Sequence, residues 1–229
     1  MKLLEEIKKK LNDLAEEKTK LFSKRIIPTN LPILGVKIPD LRKLARTIAK
    51  NDYALFLKEC DQSSYELMLL EGIVIAICPC SLQQRFSYLE KFIPIIENWA
   101  VHDSLVSSLK CTKQYPMEFL KFLSQYQYSK NEYEVRFVAV MLMCYYLNDT
   151  YVDQAFLMIQ NLCLNAFYAK MGVAWFLATA MIDYSSYVYS YLDHCNDEAL
   201  VRMTIRKIRD SHRISSDVKE KILQYKHLF

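Results

Sequence analysis

The sequence predicts an all-α protein. Apolar residues recur every three to four positions along most of the 229 residues, and glycine occurs only three times. No Asn-Gly or Asp-Gly pair is present to close a tight hairpin. Hydrophobic residues make up 52% of the chain, enough for an extensive core and too many for a disordered one.

The elements follow in order. Leu3, Leu4, Ile7, Leu11, Leu14, Ala15, Leu21 and Phe22 form one stripe with charge opposite, which predicts a first helix over residues 3–22. Pro28 and Pro32 forbid a regular helix, so residues 25–35 read as an ordered but irregular connection. Pro39 and Asp40 open the next helix, with Leu41, Leu44, Ala45 and Ile48 as its apolar face. Ser63 and Glu66 have capping-box spacing ahead of Leu67, Leu70, Val74 and Ile77. Residues 81–92 are amphipathic up to Pro94, a helix containing Trp99 follows, and Pro116 starts the helix of Phe119, Leu120 and Leu123. Residues 131–147 form a long buried helix, and Thr150 and Asp153 cap one that runs to residue 163. Residues 167–184 are apolar nearly all round and therefore central. Residues 187–194 form a short helix, and 197–211 and 215–226 each begin at a polar cap. Pairs of helices at intervals of about 35–45 residues predict one α-solenoid (superhelix) of HEAT-like repeats over residues 1–229. Its concave side is free to bind something long.

Composition excludes several classes. The net charge of +4 is too small to prove a nucleic-acid partner, so the distribution of charge must carry that argument. Seven cysteines without paired spacing read as reduced thiols of a cytoplasmic protein, and Cys78-Pro79-Cys80 lacks a second pair to complete a metal site. Glu5 and Glu6 with no apolar core are not read as a signal peptide, and residues 72–78 and 171–182 are too short to span a bilayer. The absence of a P-loop, a dinucleotide fingerprint or H-E-x-x-H sets aside ATP, NAD and zinc-protease chemistry. No cofactor, metal or membrane is expected, and the chain is expected to be monomeric.

Asn98-Trp99-Ala100-Val101-His102-Asp103-Ser104 is the stretch with most chemistry. Positions four apart share a helix face, so Trp99 and Asp103 point the same way, while Val101, Leu105, Val106 and Leu109 lie mostly elsewhere. Trp175, the only other tryptophan, and Arg136, alone in an apolar run, are the candidates to converge with them. The competing reading makes Trp99 a core aromatic and Asp103 a solvated helix residue.

Several segments together resemble the DNA alkylation repair (AlkD-like) HEAT-repeat family. Residues 34–44, with Gly35, Pro39, Arg42 and Leu44, are similar to its G-[VI]-x-x-P-x-x-R-x-L segment. Residues 98–104 are similar to its W-x-x-x-D-S motif, and Arg136 lies in a segment like its arginine-bearing helix. Residues 167–175 resemble its Q-K-A-I-x-W segment, and 206–209 its basic C-terminal helix. The resemblance implies a monofunctional glycosylase that removes cationic alkylated purines, such as 3- and 7-methylpurines, from double-stranded DNA. It places Trp99, Trp175 and Asp103 at catalytic positions and Arg136 at a phosphate. Cation–π attraction from indole faces and a carboxylate beside an oxocarbenium-like sugar suit that reaction.

The chain departs from the family's active glycosylases in segment 23–34, which forms a DNA-contacting helix in them and is broken here by Pro28 and Pro32. A short-form branch shares this pattern. The runner-up function is therefore binding of damaged or structured DNA without efficient excision, and a third is a protein-binding adaptor. Ala100 and His102 also replace residues expected inside the tryptophan motif. Arg202, Arg206, Arg209 and Arg213 recur at spacings of four, three and four, a candidate ridge for DNA phosphates. Lys170, five residues before Trp175, is expected to snorkel toward the DNA-binding surface. His102 is a candidate to tune Asp103, and the sixteen tyrosines read as packing residues.

Overall fold

The computed structural model describes residues 2–228, the last three by backbone alone. Among the described residues there are fourteen α-helices, short 3₁₀ turns and no strand. The helices form two compact units, Met1–Gln114 and Tyr115–Phe229.

In the first unit, helix α1 (Lys2–Asp13) buries Leu4, Ile7 and Leu11. The single helix expected over 3–22 is in fact two. The Glu16 N–H leaves the helical ladder to donate to Gly35 O at 2.9 Å, and α2 (Glu17–Ile26) starts afresh beyond it with no buried residue. Residues 27–37 are irregular, as the two prolines dictate. Helix α3 (Ile38–Lys50) has Pro39 in its first turn and buries Leu41, Leu44, Ala45, Ile48 and Ala49. A short α4 (Tyr53–Glu59), which periodicity did not reveal, buries Phe56 and packs on α1.

Helix α5 (Tyr65–Ile77) is buried along almost its whole length, between α3 and α7 (Trp99–Ser108). Its cap corrects the sequence reading. Ser64, not Ser63, accepts the Leu67 N–H at 3.2 Å. Glu66 is fully buried and its carboxylate serves the irregular loop instead, accepting N–H groups of Leu34, Gly35 and Val36 at 2.9, 2.7 and 3.4 Å. A capping box does occur one helix later, where Ser81 and Gln84 bond reciprocally at the start of α6 (Leu82–Phe92). Pro94 then sits in a 3₁₀ turn.

In the second unit, α8 (Pro116–Ser124) precedes α9 (Glu132–Tyr145), which Asn131 caps by accepting from Tyr133 N–H. Thr150 and Asp153 do not cap α10 (Val152–Gln160). Its cap position is Tyr151 and carries no side-chain bond, while the Asp153 carboxylate accepts the Tyr187 hydroxyl at 2.5 Å. Helix α11 (Phe167–Ala180) packs between α9 and α13 (Glu198–Asp210), and α12 (Ser185–Asp193) lies against it. Asp197 caps α13, whereas Ser215 ahead of α14 (Ser216–Lys221) makes no side-chain cap.

Both units repeat one packing rule. Helices two apart in sequence lie side by side, α3–α5–α7 in the first and α9–α11–α13 in the second. This is the arrangement of helical repeats, each of which covers its apolar face with its neighbour. No described helix is long and apolar enough to cross a membrane.

Candidate functional site

In the first unit the sequence-predicted residues sit on α7. Asn98, buried, caps the helix by accepting Val101 N–H at 3.0 Å, which makes Trp99 its first residue. Val101, Leu105 and Val106 are fully buried and fix the rotation of the helix, so Trp99 and Asp103 come together on a half-buried strip. Trp99 is neither core nor loose: its indole N–H donates to Ile26 O at the end of α2, at 3.2 Å. Thr29 donates to the Glu97 carboxylate just before α7, a second tie from the proline segment.

The Asp103 side chain is 21% exposed, and one carboxylate oxygen lies 2.8 Å from Nδ1 of His102, whose ring is fully enclosed. An ionised carboxylate accepts only, so this pairing requires the proton on Nδ1. Arg42, the motif arginine of α3, holds the far end of the same helix by donating to Ser107 and Ser108 at 3.2 and 3.1 Å. Sequence reasoning had assigned Arg42 to a motif without a task. Only its partners, 65 and 66 positions away, reveal one.

In the second unit, Arg136 (α9) and Trp175 (α11) come together. Arg136 is 3% exposed, and its guanidinium carbon stands 6.0 Å from the centre of the Trp175 ring. Gly172 makes room for this: a Cβ there would lie 3.3 Å from Arg136 Cγ. Trp175 is 37% exposed on a helix whose other large apolar residues are mostly buried. A largely desolvated guanidinium near an indole holds both groups by cation–π attraction.

Lys170 is committed elsewhere, since its ammonium bonds both Asp197 oxygens at 3.0 and 2.8 Å. Burial alone would raise the Asp197 carboxyl; Lys170 and the Leu200 amide outweigh it and hold that group below its usual range. Arg202, Arg206 and Arg209 line a shallow hollow of about 430 Å³ with Ile205 and Asp210, and Arg202 also pairs with Glu198. Arg213 is exposed past the end of α13 and does not line that hollow. Among the described residues no three His, Cys, Asp or Glu side chains are grouped to hold a metal ion.

The family model for the DNA alkylation repair enzyme matches residues 7–208. The chain belongs to that family. No curated protein and no solved structure matches at a significant level. Membership assigns the chain generally to DNA alkylation repair and to an interaction with DNA. The matched span includes Trp99, Asp103, Arg136, Lys170, Trp175, Arg202 and Arg206 and stops before Arg209 and Arg213.

Proposed function

We propose that this DNA alkylation repair protein is a monofunctional glycosylase, hydrolysing the N-glycosidic bond of cationic 3- and 7-methylpurines in duplex DNA. The observation that carries the reading is the strip on α7. An indole and a carboxylate stand one turn apart, both partly open to solvent, with the carboxylate oriented by an enclosed imidazole.

The substrate base already carries a positive charge and leaves as a neutral molecule. What the protein must supply is stabilisation of the sugar cation and a placed water. The Asp103 carboxylate stabilises positive charge at the anomeric carbon and accepts a proton from the attacking water. The Trp99 indole attracts positive charge on the base and sugar, for roughly 0.5–2 kcal/mol depending on desolvation, and Trp175 is a second indole suited to the same attraction. Arg136 holds a backbone phosphate without reading sequence, and Arg202, Arg206, Arg209 and Arg213 extend that electrostatic grip. Lys170 acts through Asp197, whose carboxylate it holds at the start of α13, the helix that carries Arg202, Arg206 and Arg209.

The test is excision from a duplex carrying a single 7-methylguanine. Asp103→Asn is expected to lower the excision rate by about 100-fold or more while changing affinity for the same duplex by less than about threefold, because its interaction belongs to the transition state. Equal losses in both would make Asp103 structural. One observation favours a second reading, in which the protein binds such DNA without efficient excision. Residues 27–37 are irregular and Trp99 is bonded to the chain just before them. Wild-type protein that binds the duplex and releases no base would establish that reading.

A further inference from the structure

The segment Cys78-Pro79-Cys80 joins α5 to α6 and lies outside the residues assigned above. Cys78 follows the last residue of α5, and the Cys80 N–H donates back to Cys78 O at 2.9 Å. That bond closes a three-residue turn around the proline. The turn brings the two sulfurs to 3.5 Å, with the Cys78 thiol donating toward the Cys80 sulfur. Cys78 is almost fully buried, whereas Cys80 is partly exposed.

Two further features surround the pair. Cys80 immediately precedes Ser81, the cap of an eleven-residue helix, where helix amides favour a nearby negative charge. Arg85, buried one turn into that helix, donates to Cys78 O at 2.7 Å and to Ile75 O. Its guanidinium therefore pins the turn and puts a fixed positive charge beside the thiols.

We propose that Cys78 and Cys80 are a redox-active dithiol that closes to an intramolecular disulfide on reaction with low-molecular-weight disulfides, with Arg85 holding the turn in the closing geometry. The partly exposed Cys80, as thiolate, attacks one sulfur of glutathione disulfide, forming a mixed disulfide and releasing one glutathione thiolate. The Cys78 sulfur then attacks the Cys80 sulfur, and its proton passes to the second departing glutathione. The protein loses two hydrogens, and one glutathione disulfide becomes two glutathione thiols. Burial, aided by the neighbouring Cys80 sulfur, raises the Cys78 thiol to about 12, which fits a resolving partner in contact rather than a first attacker.

Incubation of the purified protein with glutathione disulfide, blocking of remaining thiols with N-ethylmaleimide, and peptide mass spectrometry test this. The peptide holding both cysteines should lose two hydrogens and carry neither maleimide nor glutathione, and dithiothreitol should reverse the change. The exposed Cys144 serves as a control that accepts glutathione without closing. Cys78→Ser should instead accumulate glutathione on Cys80. Arg85→Lys, which keeps the charge but loses the two-carbonyl fork, should slow closure several-fold with its helical circular dichroism retained. Recovery of Cys78 and Cys80 as maleimide adducts while Cys144 is modified would overturn the proposal. A stable glutathione adduct on wild-type Cys80 would do the same. If Arg85→Lys fails to fold, the wild type and Cys78→Ser decide the matter.

Discussion

Glu71, on α5 and clear of the residues assigned to DNA, shows how strongly burial controls single ionisable groups in this chain. Its carboxylate accepts from Gln62 at 2.8 Å, yet burial raises it from 4.5 to about 7. The native protein thus keeps a proton that the unfolded chain releases in that interval. The stabilising contribution is complete below 4.5 and is lost as pH rises through about 7. Glu71→Gln copies the protonated form. Thermal or denaturant unfolding should show it close to wild type near pH 4.5 and more stable by about 3 kcal/mol near pH 8. A stability difference that is the same at both values would refute the titration.

The connection between α2 and α3 is a built element rather than slack chain. Gly35 has a φ of +101°, and a Cβ there would lie 2.5 Å from Glu16 O. The same residue accepts the Glu16 N–H and donates to Glu66, so one position joins α2, the loop and α5. Gly35→Ala should cost roughly 2 kcal/mol or more, from strained backbone plus a clash with main chain that cannot move aside. Glu66→Ala should cost about 3 kcal/mol, since it leaves buried N–H groups without their acceptor. Denaturant midpoints measure both, and a loss below about 0.5 kcal/mol for either would show that the loop repacks freely. Because Ile26 O and Thr29 bind Trp99 and Glu97, either variant is also expected to lower excision if Trp99 acts as proposed.

Across the chain, the net charge of +4 says little about a polyanionic partner, and the arrangement of arginines says more. Binding to duplex DNA is expected to fall steeply between low and physiological salt. Arg136→Ala should weaken binding to damaged and undamaged duplexes alike and reduce the log–log salt slope by about 1. Arg206→Gln with Arg209→Gln should reduce it by about 2, and an unchanged slope would remove the hollow on α13 from the DNA-binding surface. Fluorescence anisotropy across a salt series reads these slopes. Salt-independent binding, or none at low salt, would count against DNA as the partner.

The helices were legible from residue order because helix formation is a local affair. Side chains three and four apart share a face, and prolines and caps act on the turn they occupy, so α3, α6, α7, α9, α11 and α13 could be read to within a few residues. The W-x-x-x-D strip was legible for the same reason. The failures share one cause, which is that a polar group bonds whatever the fold brings to it. Residues 3–22 looked like one helix until Gly35 drew Glu16 out of the ladder. Glu66 had the spacing of a cap and instead holds a loop some thirty positions away. Asp153 looked like a cap and binds Tyr187. Periodicity reports which face of a helix is buried. The partner of each polar group is set by packing between distant segments, and where burial strips away water, as at Glu66, an unmatched charge is too costly to leave.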